Sequence, residues 1–261
     1  MIGSVFCRGG IFLLIMTIVS ALFAAMTGSS AETSSVKMNL YFQGRYVYQK
    51  QCVPCHGRTG RGDGEFAKGV TTKPRNFRTG VFKFRTTAMG FLPTDDDLRR
   101  TIRSGVSGTM MPSFKKLSDA DITAVISYLK VLSSRWNKPE YKGEVHKLPD
   151  VPEWYQKLEE RAVHIGKGNS LFKVNCVICH GNEAKGDGEG ARALIDIWEN
   201  PIIPADLAQE HHKSGDSLKD LYRTVALGLD GTPMIGYMEA LGQESVWDLV
   251  AYIKSIEESG K

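Results

Sequence analysis

Apolar positions recur at helical spacing in several short stretches of this chain, each bounded by capping or stop residues. Thr94 reads as the N-cap of a helix from Asp95 to Ser104, with Asp95, Asp96 and Asp97 placed to complement the dipole at its start. Ser118 and Asp121 read as the capping pair of a helix running to Leu132. Similar patterns predict helices from Ser217 to Leu227 and from about Gln243 to Ile256. Shorter amphipathic stretches cover residues 44–52 and 168–176. No alternating run is long enough for a substantial sheet, so the expected fold class is all-α. Residues 133–165 carry Pro139, Pro149 and Pro152 with many charges, which predicts an exposed crossing segment. From Pro152 a helix is expected through Val163, stopping near Gly166. Trp136 and Trp154 are expected to pin this segment to the rest.

The pattern repeats. A shift of 124 residues places Gly44 on Gly168, Tyr48 on Phe172, Cys52 on Cys176 and His56 on His180. It also places Gly62-Asp63-Gly64 on Gly186-Asp187-Gly188 and Tyr128 on Tyr252. A shift of 123 pairs Leu98 with Leu221, Gly105 with Gly228 and Met111 with Met234. This is an internal duplication with single-residue adjustments in loops.

Arg8, the apolar run from Ile11 to Met26 and the small residues Ser29-Ser30-Ala31 read as an export signal over residues 1–31. A retained membrane tether is the alternative, since a run of 16 apolar residues falls between a signal core and a spanning helix. The expected organisation is then a first domain over 32–135, a linker over 136–163 and a second domain over 164–261.

Four of the five cysteines lie in two Cys-x-x-Cys-His segments, Cys52 to His56 and Cys176 to His180. That pattern reads as covalent c-type haem attachment, with Cys52, Cys55, Cys176 and Cys179 forming thioethers and His56 and His180 binding iron. A zinc ribbon would bring its cysteine pairs much closer together, and a redox dithiol requires neither the histidine nor a second copy. Two covalent haems and export are mutually consistent, because such haems are attached outside the cytoplasm. Cys7 precedes the apolar run and is not placed for lipidation.

An electron carrier fills both axial positions of its iron from the protein, and histidine with methionine is a common pair. Met111 follows His56 by 55 residues, and Met234 follows His180 by 54. Both close matching glycine-rich runs, Gly105 to Pro112 and Gly228 to Met234, which are poor core sequence and good tight loops. The repeat pairs Met111 with Met234, and Met110 with Pro233, so Met111 is preferred over Met110. His211 and His212 precede a helix in a polar loop and are expected to face solvent, with bis-histidine ligation of the second haem as the alternative.

These residues resemble the class I cytochrome c family in a tandem dihaem form similar to cytochrome c4-type proteins. The resemblance covers about residues 40–132 and 164–257. It implies an all-α domain around each haem, with the first and last helices crossing at Gly44, Tyr48 and Tyr128 in one half and at Gly168, Phe172 and Tyr252 in the other. It also implies a proline carbonyl hydrogen-bonded to each ligand histidine, for which Pro74 and Pro204 are the candidates.

Charge divides between the halves. Residues 32–150 carry 21 Lys and Arg against 11 Asp and Glu, and residues 151–261 carry 11 against 18. In the run from Lys73 to Arg85, one arginine is expected to neutralise a haem propionate and the other cations to form a solvated face. An acidic redox partner at the first domain is the expectation, with mutual attraction of the two halves as the alternative. Nucleic acid is not expected as a partner, the basic region being local. The implied function is a periplasmic, non-enzymatic electron carrier between respiratory redox proteins. The alternatives are a dihaem enzyme of thiosulfate dehydrogenase or peroxidase type, and a fixed subunit of a membrane respiratory complex.

Overall fold

Two helical units, each built from a long first helix, a one-turn helix and two further helices, make up the chain. The computed structural model describes residues 35–259; the signal reading over 1–31, and Cys7, lie outside the described residues. The first unit contains α1 (residues 35–51), α2 (Val53–His56), α3 (Asp95–Ser104) and α4 (Asp119–Val131). The second contains α5 (Leu158–Asn175), α6 (Val177–His180), α7 (Leu218–Leu227) and α8 (Met238–Ser259), which kinks at Gly242. Among the described residues, extended pairing is limited to the isolated bridges Thr87–Val145 and Ile195–Pro201. No helix among them is long and apolar enough to cross a membrane.

In both units the first helix crosses the last at a glycine. A Cβ on Gly44 would lie 2.0 Å from the Ala124 carbonyl oxygen, and one on Gly168 would lie 2.0 Å from that of Asp248. Only a residue without a side chain permits that approach. Around each crossing, aromatic rings fill the core. Tyr48 sits 5.1 Å from Tyr128 between ring centroids, and Phe172 sits 5.3 Å from Tyr252.

Asp97 makes the start of α3 more than a helix cap. Its carboxylate accepts Thr94 N, completing a reciprocal capping box with the Thr94 hydroxyl. It also accepts both Thr86 N and Thr86 Oγ1 at 2.9 Å, and Arg100 Nη2 at 2.6 Å. The side chain is fully buried, so these donors replace water and tie the loop at residue 86 to the helix.

The connection departs from its sequence pattern. Pro152 opens only a 3-10 turn, Glu153–Gln156, and the helix that follows does not stop near Gly166. It continues as α5 through Gly166 and Gly168, both outside the left-handed region. Gly168 is present for close packing, and sequence alone does not distinguish that use from a stop. The Trp anchors do hold: Trp136 meets Phe82 edge-on at 6.3 Å, and Trp154 stacks on His164 at 3.6 Å.

The run from Lys73 to Arg85 is a solvated face only in part: Lys73 and Arg78 are exposed, but Arg75 and Lys83 are half-buried and Arg85 is buried. Arg75 stacks its guanidinium 4.1 Å over the Trp198 ring of the second unit. Burial, with Arg75 and Lys213 nearby, pushes the Lys83 ammonium down to about 8. The Arg85 side chain has no solvent exposure and reaches the end of α7. These cations are spent on the contact between the units.

Two measurements follow from the packing. Gly168→Ala should lower unfolding stability by about 1–3 kcal/mol through overpacking. Gly166→Ala, with nothing within 4 Å of its added carbon, should instead raise it by about 0.5–1 kcal/mol. Equal effects in guanidinium titrations would contradict the close approach. Burial pulls the Asp97 pKa up, but hydrogen bonds from Thr94, Arg100 and Thr86 outweigh it and hold it below the usual carboxylate range. Asp97→Asn should therefore cost about 1–3 kcal/mol at pH 7. That loss should shrink as pH falls below the unfolded value of about 3.9, because the wild-type carboxylate is then losing its own advantage. A pH-independent difference in urea titrations would refute it.

Candidate haem centres

Each Cys-x-x-Cys-His segment is one helical turn grafted onto the end of a long helix. Cys52 N donates to Tyr48 O and His56 N to Cys52 O, both at 2.8 Å. The second copy repeats this, Cys176 N to Phe172 O at 2.8 Å and His180 N to Cys176 O at 2.9 Å. None of these four cysteines is joined in a disulfide. Gly57 and Gly181 end the turns in the left-handed region, with φ of 75° and 79°.

The Gly-Asp-Gly loop folds back onto this turn. Gly62 N donates to His56 O and Gly64 N to Cys55 O; Gly186 N and Gly188 N do the same for His180 O and Cys179 O. Asp63 and Asp187 press their carboxylates against the two glycines: a Cβ on Gly57 or Gly181 would fall 1.9 or 2.0 Å from them. The loop thereby satisfies carbonyls at the end of the turn that have no helical partner.

Each histidine is then fixed by its inner nitrogen. His56 Nδ1 donates to Arg75 O and His180 Nδ1 to Ala205 O, both at 3.0 Å. The acceptors are not Pro74 and Pro204, as the resemblance implied, but the residues after them. The proline carbonyls are instead pressed against the loop: a Cβ on Gly62 or Gly186 would lie 2.4 Å from Pro74 O or Pro204 O. The prolines set the backbone that aims the next carbonyl. With Nδ1 donating, Nε2 keeps its lone pair for a metal. Burial lowers the pKa of both imidazoles, against the opposing pull of that bond, and so favours the neutral ligating form.

The methionine loops match bond for bond. Val106 N donates to Met111 O at 3.1 Å, and Leu229 N to Met234 O at 2.9 Å. Thr109 Oγ1 accepts Met111 N and donates to Val106 O; Thr232 Oγ1 does so for Met234 N and Leu229 O. Met111 and Met234 are partly buried, whereas Met110 is 62% exposed. Cys176, Cys179, His180 and Met234 of the second unit line one cavity of about 780 Å³, with Leu221, Val225 and Leu249 among its apolar walls; Pro74, Lys83 and Phe84 of the first unit line it too. In the first unit His56 stacks on Phe77 at 4.4 Å, and Met111 occupies the matching loop after α3.

Cysteine pairs outside any disulfide, histidines with Nε2 available and an apolar cavity bringing sulfur, imidazole and thioether groups together fit a covalently attached haem. His212 departs from expectation: it is 5% exposed and pairs through Nε2 with Glu257 at 2.6 Å. His211 does face solvent, paired with Asp216. Among the described residues no group of three His, Cys, Asp or Glu is placed to hold a metal ion. Phe77, Trp198 and Arg85 were not singled out individually from sequence. The one available signal was that the basic run has no copy in the second unit.

The family described as "Cytochrome C oxidase, cbb3-type, subunit III" matches residues 40–129, and the family described as "Cytochrome c" matches residues 165–257. A chain of the Kuenenia stuttgartiensis reducing HAO-like protein complex is 35% identical, with a TM-score of 0.74 over 82% of this chain and 95% of that one. This chain belongs to the cytochrome c family, as two domains in tandem. Membership carries two covalently bound c-type haems and a role in electron transfer. The cbb3-type cytochrome c oxidase subunit FixP of Azorhizobium caulinodans is 28% identical over 60% of this chain and 44% of its own length. The corresponding subunit CcoP of an Azospirillum species is 25% identical over 82% and 61%. This cytochrome spans about half the length of the curated relatives it matches.

Proposed function

We propose that this dihaem cytochrome is an exported, non-catalytic relay within a multi-component respiratory redox assembly, with Met111 and Met234 completing the two iron centres opposite His56 and His180. The observation that carries the reading is the identical hydrogen-bonded loop behind each methionine. Bound haem supplies a one-electron carrier, and a thioether ligand raises its reduction potential. The protein's part is to fix the imidazoles, present the thioethers and exclude water. The relatives named as oxidase subunits, and the solved relative from a complex, favour an assembly over a freely diffusing carrier. Attachment to a membrane, through the assembly or through the N-terminal segment, belongs to this proposal.

The two centres offer different faces to partners. The first methionine loop is open, with Met110 exposed and Lys115 and Lys116 exposed just beyond it. The second is covered over its first half, with Gly228, Asp230 and Gly231 buried where the first domain meets it, while Pro233 and Ile235 beside Met234 stay exposed. Electrons exchanged with an acidic redox protein would therefore pass at the first domain, beside Lys115 and Lys116. Arg75, committed to Trp198, is not available for that docking.

Reversing charge with Lys115→Glu and Lys116→Glu should slow electron exchange with an acidic partner and flatten its dependence on ionic strength. Wild-type rates and salt slopes in the double variant would refute the docking face. Carbon monoxide tests the non-catalytic reading: the reduced protein should resist it, and rapid binding would reveal an open iron position suited to enzyme chemistry. Co-migration of haem stain with a large complex on native gels of source membranes is the expected outcome, and a small soluble band would overturn the assembly.

A further inference from the structure

The loop that presents Met234 is held from outside its own domain. Helix α7 ends at Leu227, and Gly228 turns the chain at φ of 68°. The last carbonyls of a helix lack intrahelical partners and lie at the negative end of its dipole. Arg85, from the first domain, fills that gap: Nη2 and Nη1 donate to Leu227 O at 3.2 and 3.3 Å, and Nη1 to Gly228 O at 3.4 Å. Its side chain is fully enclosed, so the planar fork has one orientation.

Two further ties lie in the next residues. Asp230 Oδ2 faces Arg85 Nε at 3.8 Å and accepts Gly90 N of the first domain at 3.2 Å. Gly231 packs between Trp198 of its own domain and Val81 of the first: an added Cβ would lie 3.0 Å from the Trp198 ring and 3.1 Å from Val81 Cγ1. Gly228, Asp230 and Gly231 are thus all held by the other domain within the stretch leading to Met234. The loop's own bond, Leu229 N to Met234 O, then transmits that placement to the methionine.

We infer that Arg85 is a positioning residue acting across the domain contact, fixing the Gly228–Met234 loop so that Met234 is presented to the second haem. The inference rests on Met234 being that haem's ligand. Docking of the domains then sets the methionine side of the second centre, whereas the methionine side of the first, whose loop faces solvent, is indifferent to it.

The test is a spectral and potentiometric comparison of the full holoprotein. In Arg85→Met the methionine-to-iron band should lose or shift the share of one centre, one reduction potential should fall, and the other should stay. Arg85→Lys should restore part of both signals. A folded Arg85→Met protein with two attached haems, the wild-type band and both wild-type potentials overturns the inference. Should Arg85→Met not fold, Asp230→Asn keeps the arginine and should shift the same single centre more weakly; no shift there overturns it as well. Met234→Ala separates the two claims. A full-strength band in Met234→Ala removes the ligand assignment and the inference with it. Loss of one share there, with none in Arg85→Met, removes only the role of Arg85.

Discussion

An imidazole that binds iron through one nitrogen has only the other with which to hold its angle. The bond from Nδ1 to a backbone carbonyl is therefore the constraint around which each domain is arranged. A carbonyl is a useful acceptor only if its own chain is stiff. Here the stiffness comes from a proline immediately before it, pressed on a glycine of the Gly-Asp-Gly loop. That loop is in turn bonded to the histidine's own turn, closing a short circuit of backbone contacts. Pro74 and Pro204 lie at different distances from their histidines in sequence, yet both circuits close with the same 3.0 Å bond. Loop length varies freely as long as the circuit does not.

The same template is set in unequal surroundings. Tyr48 donates its hydroxyl to Gly57 O at 2.8 Å, a bond Phe172 cannot make for Gly181. Phe77, whose N donates to Gly60 O, stacks on His56, while the equivalent backbone bond in the second domain, Leu207 N to Ala184 O, brings an aliphatic side chain instead. One methionine loop meets solvent, and the other has its first half buried against a neighbouring domain. Burial and second-layer contacts tune a haem's potential without changing its ligands. Duplication supplied two copies of one centre, and the surroundings of the two copies have diverged.

What was legible in the sequence was what repeats. The attachment motifs, the Gly-Asp-Gly loops, the crossing glycines and the paired methionines could be read because each copy served as a control on the other. Helices α3, α4 and α7 follow from caps at Thr94, Ser118 and Ser217, which are local side-chain-to-backbone bonds. The continuity of α5 was not legible, since a glycine used for close packing and a glycine that ends a helix look alike. Nor was the burial of His212, because its partner Glu257 lies 45 residues away. The acceptor carbonyls escaped by one residue, since a backbone oxygen leaves no mark on side-chain identity. Arg85 was hidden for the opposite reason: it has no copy, and an unmatched arginine in a basic run looks like surface.

Arg85 also shows why the division of charge explains less than it promises. Opposite net charges draw the halves together from a distance, but screening at physiological salt confines that pull to about 8 Å and it carries no preferred orientation. Orientation comes from contacts that only one arrangement satisfies: a guanidinium on the carbonyls of a helix end, another on the face of Trp198. Enclosing an arginine costs several kcal/mol, and the attraction of a single carboxylate at 3.8 Å and bonds of 3.2–3.4 Å offset that without a large surplus. A contact with so little net stabilisation contributes chiefly register. Register is what two redox centres in one chain require, because their separation and the placement of the covered methionine loop both depend on how the domains dock.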